Sequence, residues 1–369
     1  MNRTISAKQW SGLLALATPL LSAACLAQSP IFSLQVLGNI SGGTGAGAYA
    51  INNLGEAVGS AGGGTSVCPT GCAVIWTDTT PTILGSVAGA TTSNAYSLNN
   101  AGQVVGFVNM SGYQQAVIWI NGTPSLLQSP SSQYVQTIPA SINDSGQVAG
   151  QASGAQGVTA VAVVWNGTTP TALDSLPGCT GGASAGGINS NGLVAGDIGC
   201  GTTGSHLEPV VWHGTTATRL PMVKLKNGVP SGIALAVNNF GLVVGTANNP
   251  SALAYATAWQ GGTVTNLGVL GTGLRSVATA LNDRGIIVGQ SATSGYDVFH
   301  ATLWSRVGAA TQDLNALISA AQAAEYELTD ATGINDSCAI VANGYNKKTR
   351  ATMAFLLTLI DSSNCVNGM

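Results

Sequence analysis

Charge is the scarcest property of this sequence. Its 369 residues include 11 Lys and Arg, 14 Asp and Glu and 3 His, so 7% of the chain is charged. So few basic residues cannot supply the positive stripe that nucleic acid requires, which excludes it as a partner. A coiled coil or helical bundle, built largely from Ala, Glu, Lys, Leu and Arg, is excluded as well. Aromatic residues make up only 5% of the chain. The three histidines, His206, His213 and His300, lack the spacing of zinc ligands, so no metal and no cofactor is expected. Long apolar runs are missing too: beyond the N-terminus the longest, 351–360, is about half of the ~20 residues a membrane helix needs.

The first 27 residues are the exception. Arg3 and Lys8 precede an uncharged, mostly apolar run from Ser11 to Ala24, and small residues end at Ala27. This pattern predicts a secretory signal peptide over 1–27. Cleavage after Ala27 removes two of the 11 basic residues, leaving 9 against 14 acidic and a net charge near −5. Acylation at Cys25 as a lipoprotein is the lesser expectation, because Ser22 stands three residues before it where Leu is usual. A secreted or periplasmic location, with no transmembrane segment and a monomeric state, is expected.

What the chain has in abundance is glycine, 50 residues, set in a repeat. The stretch Ile51-Asn52-Asn53-Leu54-Gly55-Glu56-Ala57-Val58-Gly59 returns from Leu98, Ile142, Ile188, Val237 and Leu281. A degraded seventh copy starts at Ile334, where Cys338 and Ala342 replace the two glycines. The starts are 47, 44, 46, 49, 44 and 53 residues apart, a period typical of propellers or solenoids. After each motif an apolar run ends in an aromatic residue: Trp76, Trp119, Trp165, Trp212, Trp259, Trp304 and Phe355.

Within a copy, one strand leads into an Asn–Gly turn and a second strand follows. A variable loop then precedes a third strand apolar on both faces, and an Asn-Gly or similar turn introduces a fourth. Four antiparallel strands make a propeller blade. The seventh copy stops after its third strand, 354–359, whereas Phe32-Ser33-Leu34-Gln35-Val36-Leu37-Gly38 resembles a fourth strand ahead of the first copy. An N-terminal strand that closes the last blade leaves no free sheet edge. The expectation is an all-β, seven-bladed β-propeller of four-stranded antiparallel blades, as one domain over 28–369. A short helical insertion is expected at about 314–325, with Leu314, Leu317, Ile318 and Ala321 on one face, and a C-terminal tail at 360–369. Without Cys25 six cysteines remain, and proximity in sequence and about the turns suggests Cys68–Cys72, Cys179–Cys200 and Cys338–Cys365 as disulfides.

These motifs resemble the HAF-repeat family of extracellular bacterial proteins, whose unit looks like Ala-x-x-Ile-Asn-x-x-Gly-x-Val-Val-Gly followed by an apolar run ending in Trp. The resemblance covers about residues 31–359, including Asp313-Leu314-Asn315, Ile334-Asn335-Asp336 and Ala354-Phe355-Leu356-Leu357-Thr358 in the terminal unit. Cys338 departs from the family's Gly, which puts the tightness of that turn in question. The resemblance implies secretion and the repeat fold but no activity.

Candidate chemistry is sparse. Asn52, Asn99, Asn143, Asn189, Asn238, Asn282 and Asn335 read as turn devices rather than a ligand-binding crown, because every blade needs one. Asp144, Asp283 and Asp336 beside them lack the acidic density of a calcium loop. The aromatic series reads as core rather than sugar-stacking surface, and the Asn121 and Asn166 triplets as turns rather than glycosylation sites. Gly182-Ala183-Ser184-Ala185-Gly186 has the letters of a nucleophile elbow but enters a strand with no helix behind it.

Strand direction places the repetitive turns on one face of the ring and the loops between second and third strands, with the blade connections, on the other. That loop face gathers Cys68 and Cys72, His206 with Glu208, Lys224 and Lys226, Tyr296 and Asp297 near His300, the inserted helix, and Lys347, Lys348 and Arg350. A secreted non-catalytic protein that binds a protein or glycan through Lys224, Lys226, Tyr296, Asp297, His300, Lys347 and Lys348 is the leading expectation. A glycan-cleaving hydrolase or lyase using carboxylates among Asp197, Glu208, Asp297, Glu325 and Glu327 is the alternative. A purely structural envelope protein is the third.

Overall fold

The computed structural model describes residues 31–63, 70–155, 157–201, 204–225, 227–251 and 253–367. The expected signal peptide, with Cys25, and the expected Cys68 and Lys226 roles lie outside the described residues. Seven four-stranded antiparallel sheets follow one another around the ring. Blade one consists of Gly45–Ile51, Ala57–Gly62, Cys72–Trp76 and Pro81–Ile83. Blade seven takes Tyr326–Ile334, Ile340–Asn346 and Thr352–Leu359, and its fourth strand is the N-terminal Phe32–Leu37, with Phe32 opposite Leu359 and Leu37 opposite Ala354. The closure expected from the chain ends is therefore present.

The core lies between blades. Val58 and Ala73 of blade one, for example, pack with Val104, Val117 and Trp119 of blade two. This explains why the third strands are apolar on both faces: each sheet is covered by a neighbour on either side.

The two motif glycines have separate causes. The first closes the turn in left-handed backbone, φ +85° at Gly55, and Cys338 accepts the same region at φ +61° in the seventh copy. The turn there keeps its hydrogen bond, Cys338 N–H to Asn335 O at 3.0 Å, so the substitution does not loosen it. The second glycine lies against a β-bulge in the first strand, where a Cβ on Gly59 would come within 1.9 Å of Gly47 O. In blade seven an additional register shift between Leu328 and Asp330 moves this close approach to Gly344, whose Cβ would lie 1.8 Å from Glu327 O. Ala342 is tolerated because the crowding has moved two residues along.

The insertion is helical but broken. Leu314–Ala316 is one 3-10 turn capped by Asp313, and Ala320–Glu325 is an α-helix capped by Ser319. Leu314, Leu317 and Ile318 are buried as expected, whereas Ala321 is exposed, because the break at Leu317–Ser319 rotates the second piece away from the core. The tail carries a short helix, Ser363–Asn367. Cys179–Cys200 and Cys338–Cys365 form disulfides, the second tying this tail to the last motif turn. These bridges, together with the absence of any apolar membrane-length helix among the described residues, are compatible with an extracellular or periplasmic location. One pairing had no sequence signal: Thr272–Gly273 runs parallel to Ser294–Gly295 beside blade six.

Candidate functional site

On the turn face the seven motif asparagines form a closed ring. Each Nδ2 donates to the main-chain carbonyl of the next motif Asn, from Asn52 to Asn99 at 3.1 Å around to Asn335 to Asn52 at 2.9 Å. Each Oδ1 also accepts the N–H groups two and four residues on, as Asn143 does from Ser145 at 3.1 Å and Gln147 at 2.9 Å. The side chains are buried and their polar groups engaged, which makes this a structural ring between blades.

A second ring lies outside it. Asn53, Asn100, Asn239, Asp283 and Asp336 donate backbone N–H to the side chain of the corresponding residue in the next blade, at 2.8–2.9 Å. Asp144, Asp283 and Asp336 accept Nδ2 of Asn100, Asn239 and Asn53 at 2.9, 2.7 and 2.7 Å respectively. Their carboxylates are committed to this ring, and no group of three or more potential metal ligands occurs among the described residues.

The six repeat tryptophans are 0–1% exposed, so none of them is a stacking platform. Sequence reasoning expected packing and missed a hydrogen bond. Each of these indoles donates to a carbonyl at or just after the end of the fourth strand of the preceding blade, from Trp76 to Gly38 at 2.9 Å through Trp304 to Leu267 at 2.7 Å. Phe355 lacks this donor, and blade seven has side-chain bonds of its own across the seam where the ring closes. There Asn343 of blade seven bonds both main-chain groups of Ala48 in blade one, each at 2.9 Å.

The loop face carries a cluster of charged side chains. His300, in the third strand of blade six, contacts Asp313 through Nδ1 at 2.6 Å and Glu327 of blade seven through Nε2 at 2.7 Å. Lys347 Nζ contacts the other Glu327 oxygen at 2.8 Å and donates to Ala323 O of the inserted helix at 2.8 Å. The hydrogen bond to Asp313 raises the His300 pKa above its ordinary value, against burial, which lowers it, and the charges of Asp313 and Glu327 add to the rise. Burial alone would raise the Asp313 pKa, but the His300 and Asn315 hydrogen bonds bring it below its ordinary value.

Blade four has a related arrangement, with Glu208 3.2 Å from His206 and 3.7 Å from Arg219. Glu208 and His300 each stand four residues before their blade's tryptophan. Arg219 and Asp313 pair with the equivalent residues Val210 and Thr302.

The expected site residues are only partly brought together. His300 and Lys347 meet through Glu327, while Tyr296 and Asp297 are exposed in the loop that leads to His300. Lys348 is exposed in the turn beside Lys347. Lys224 lies on the connection from blade four to blade five, so blades five and six separate it from Lys347 and Lys348. The lysines therefore do not form one patch; the expectation took them together because sequence position along a ring does not report angular position around it.

The carboxylates of the glycan-cleaving alternative are likewise dispersed over blades four, six and seven. Burial pushes Asp197 up to about 6. It does the same to Asp330, which was not anticipated and whose buried Oδ1 has no hydrogen-bond partner. Asp197 sits opposite Ser184 and Asp330 opposite Asn343, the same register pair in blades four and seven. The repeat phase could have marked Asp330, since it places an acid where the other first strands carry Gly47, Asn94, Ile138, Ser184, Ile233 and Val277. Ser184 belongs to the strand Ala183–Ile188 rather than to a nucleophile elbow.

No family model matches the chain, and no curated protein matches it. Among solved structures, one titled "YCF48 bound to D1 peptide" aligns with 94% of this chain and 100% of its own at a TM-score of 0.48 and 10% identity. Nothing about function follows from a likeness of that size, and the seven-bladed propeller stands on the sheets themselves.

Proposed function

We propose that this chain is a secreted, non-catalytic repeat protein of the HAF-repeat kind that binds a protein or glycan partner through the blade six and seven sector of its loop face. The observation that carries this reading is the exposure of Tyr296, at 46%, and Val298, at 50%, immediately before the braced His300 cluster. The exposed parts of these apolar side chains gain from being covered by a partner, and a firm base beneath them lowers the entropy cost of binding. Lys348 adds a cation at the same rim, and Arg350 is held 4.0 Å over the Tyr345 ring.

The test is an array of envelope proteins and polysaccharides probed with the full chain. Replacing Tyr296 by Ala and Lys348 by Glu together is expected to weaken the strongest interaction at least about tenfold while leaving the melting temperature unchanged. Binding that survives the double replacement overturns the assignment of this sector.

A further inference from the structure

We propose that the turn face carries a second site, a groove between blades five and six that takes an acidic glycan through its uronate carboxylates and the flat face of a pyranose. The cavity is about 340 Å³ and is lined by Phe240, Gln260, Asp283, Arg284, Arg306 and Val307 among others. The inference concerns the opposite face from the partner site proposed above and does not depend on it.

The repeat supplies its own control. The residue two after each motif Asn donates its N–H to that Asn, and Leu54, Ala101, Ser145, Asn191, Phe240, Arg284 and Ser337 occupy the seven places; of these side chains Asn191 and Arg284 also donate to the carbonyl of a second-ring residue in the next blade. A position that accepts Ala or Ser does not require Phe, yet Phe240 stands there 74% exposed. The neighbouring copy has Arg284, whose Nε donates to Asp336 O at 2.7 Å, which orients the guanidinium. The third element is a departure in length. Blades two to five join their third and fourth strands through two residues, whereas blade six uses the seven residues 305–311. That longer connection brings in Arg306, exposed and without an ion pair among the described residues. Phe240 and Arg306, which the ring does not require, thus meet the oriented Arg284 in one groove.

Their chemistry selects the ligand class. Two guanidinium groups favour carboxylates, which they bind in a planar, paired fashion. Asp283 adds one negative charge to the lining, but both its oxygens accept from Asn239, at 2.9 and 2.7 Å, and no ion pair joins it to Arg284 or Arg306 among the described residues, so two cations stand against one anion. An exposed phenyl face is negative at its centre and suits the C–H face of a sugar ring. A peptide added as a strand would need free backbone donors, and the two turns have none to offer. The N–H groups of Phe240, Gly241 and Leu242, and of Arg284, Gly285 and Ile286, all donate within their own turns. Recognition is left to side chains, which favours a sugar acid over an acidic peptide.

Calorimetry on the full chain at low salt tests this with oligomers of galacturonate, mannuronate and glucuronate, a neutral galactan, and polyglutamate. At least one uronate oligomer is expected to bind, and the galactan and polyglutamate to bind at least about tenfold more weakly. Phe240→Ser and Arg306→Ala are each expected to weaken the uronate about tenfold, without a change in melting temperature. The Tyr296 and Lys348 replacements on the loop face are expected to leave uronate binding intact. Failure of all three uronates, equal binding of polyglutamate, or indifference to Phe240→Ser overturns the proposal. Loss of uronate binding in the loop-face variants alone overturns it too and assigns the glycan to the other face.

Discussion

The two faces of the ring are made by opposite ends of the same strands, and they solve different problems. On the turn face every blade must meet the next at the same radius, and the seven asparagines meet that demand with one repeated set of bonds. On the loop face the charged contacts differ from blade to blade, His300 with Asp313 and Glu327 in blades six and seven and Glu208 with His206 and Arg219 in blade four. Uniformity therefore marks geometric necessity, and a departure marks a residue free to serve something else. Phe240 matters because it fills a position that the ring leaves open on that face, beside the longer connection that carries Arg306.

The comparison breaks most readily at the Asn ring. Asn143→Ala removes two donated bonds, to Asn189 O at 2.9 Å and Gln147 Oε1 at 3.0 Å, and the acceptor of two backbone N–H groups. With these groups buried, the expected loss is about 3 kcal/mol in urea unfolding. A loss under about 1 kcal/mol would mean that the ring reports blade spacing rather than sets it.

Asp330 offers an effect of opposite sign in the inner strand of blade seven. Burial raises its pKa from 3.8 to about 6, so the folded state holds the proton more tightly than the unfolded chain. Its stabilising contribution is full below 3.8 and is lost as pH rises through about 6, leaving a buried charge at neutral pH. Asp330→Asn is therefore expected to stabilise the protein at pH near 8 by up to about 3 kcal/mol and to do nothing near pH 3. Unfolding curves at the two pH values measure the difference, and an equal effect at both would assign the gain to packing.

The ring, its blade count and its closure were legible because a period near 47 with paired landmarks admits few folds, and because the chain ends lacked and supplied the same strand. The sites were less legible for a physical reason. Lys224 and Lys347 look alike in sequence, but angular position depends on how many blades intervene. The indole bonds were hidden because Trp76 and Phe355 satisfy the same packing, and only the indole N–H, which reaches Gly38 O, distinguishes them. Arg284 and Arg306 stood in segments read as mere turns, so a groove shared by two consecutive blades had no linear signature.

The smallest effect sharpens the comparison most, because it asks whether the loop-face cluster is structural at all. His300 has a raised pKa, so its contribution is present below its ordinary value of 6.5 and lost as pH rises through the folded value. Asp313 has a lowered one, so its contribution is present above 3.8 and lost as pH falls below that. The clamp therefore stabilises only in the window between these limits. Both groups are partly solvated, which limits the cost of His300→Gln to under about 1 kcal/mol inside the window. Above it the cost is expected to vanish, whereas Asn143→Ala, an uncharged lesion in the turn ring, is expected to cost the same across that range. Urea unfolding of both variants from pH 5 to pH 9 would separate the faces by the shape of their pH dependence. If His300→Gln proved as flat as Asn143→Ala, the histidine would be acting as a packed neutral ring, and the binding rim would be left with Lys347 and Glu327 as its ion pair.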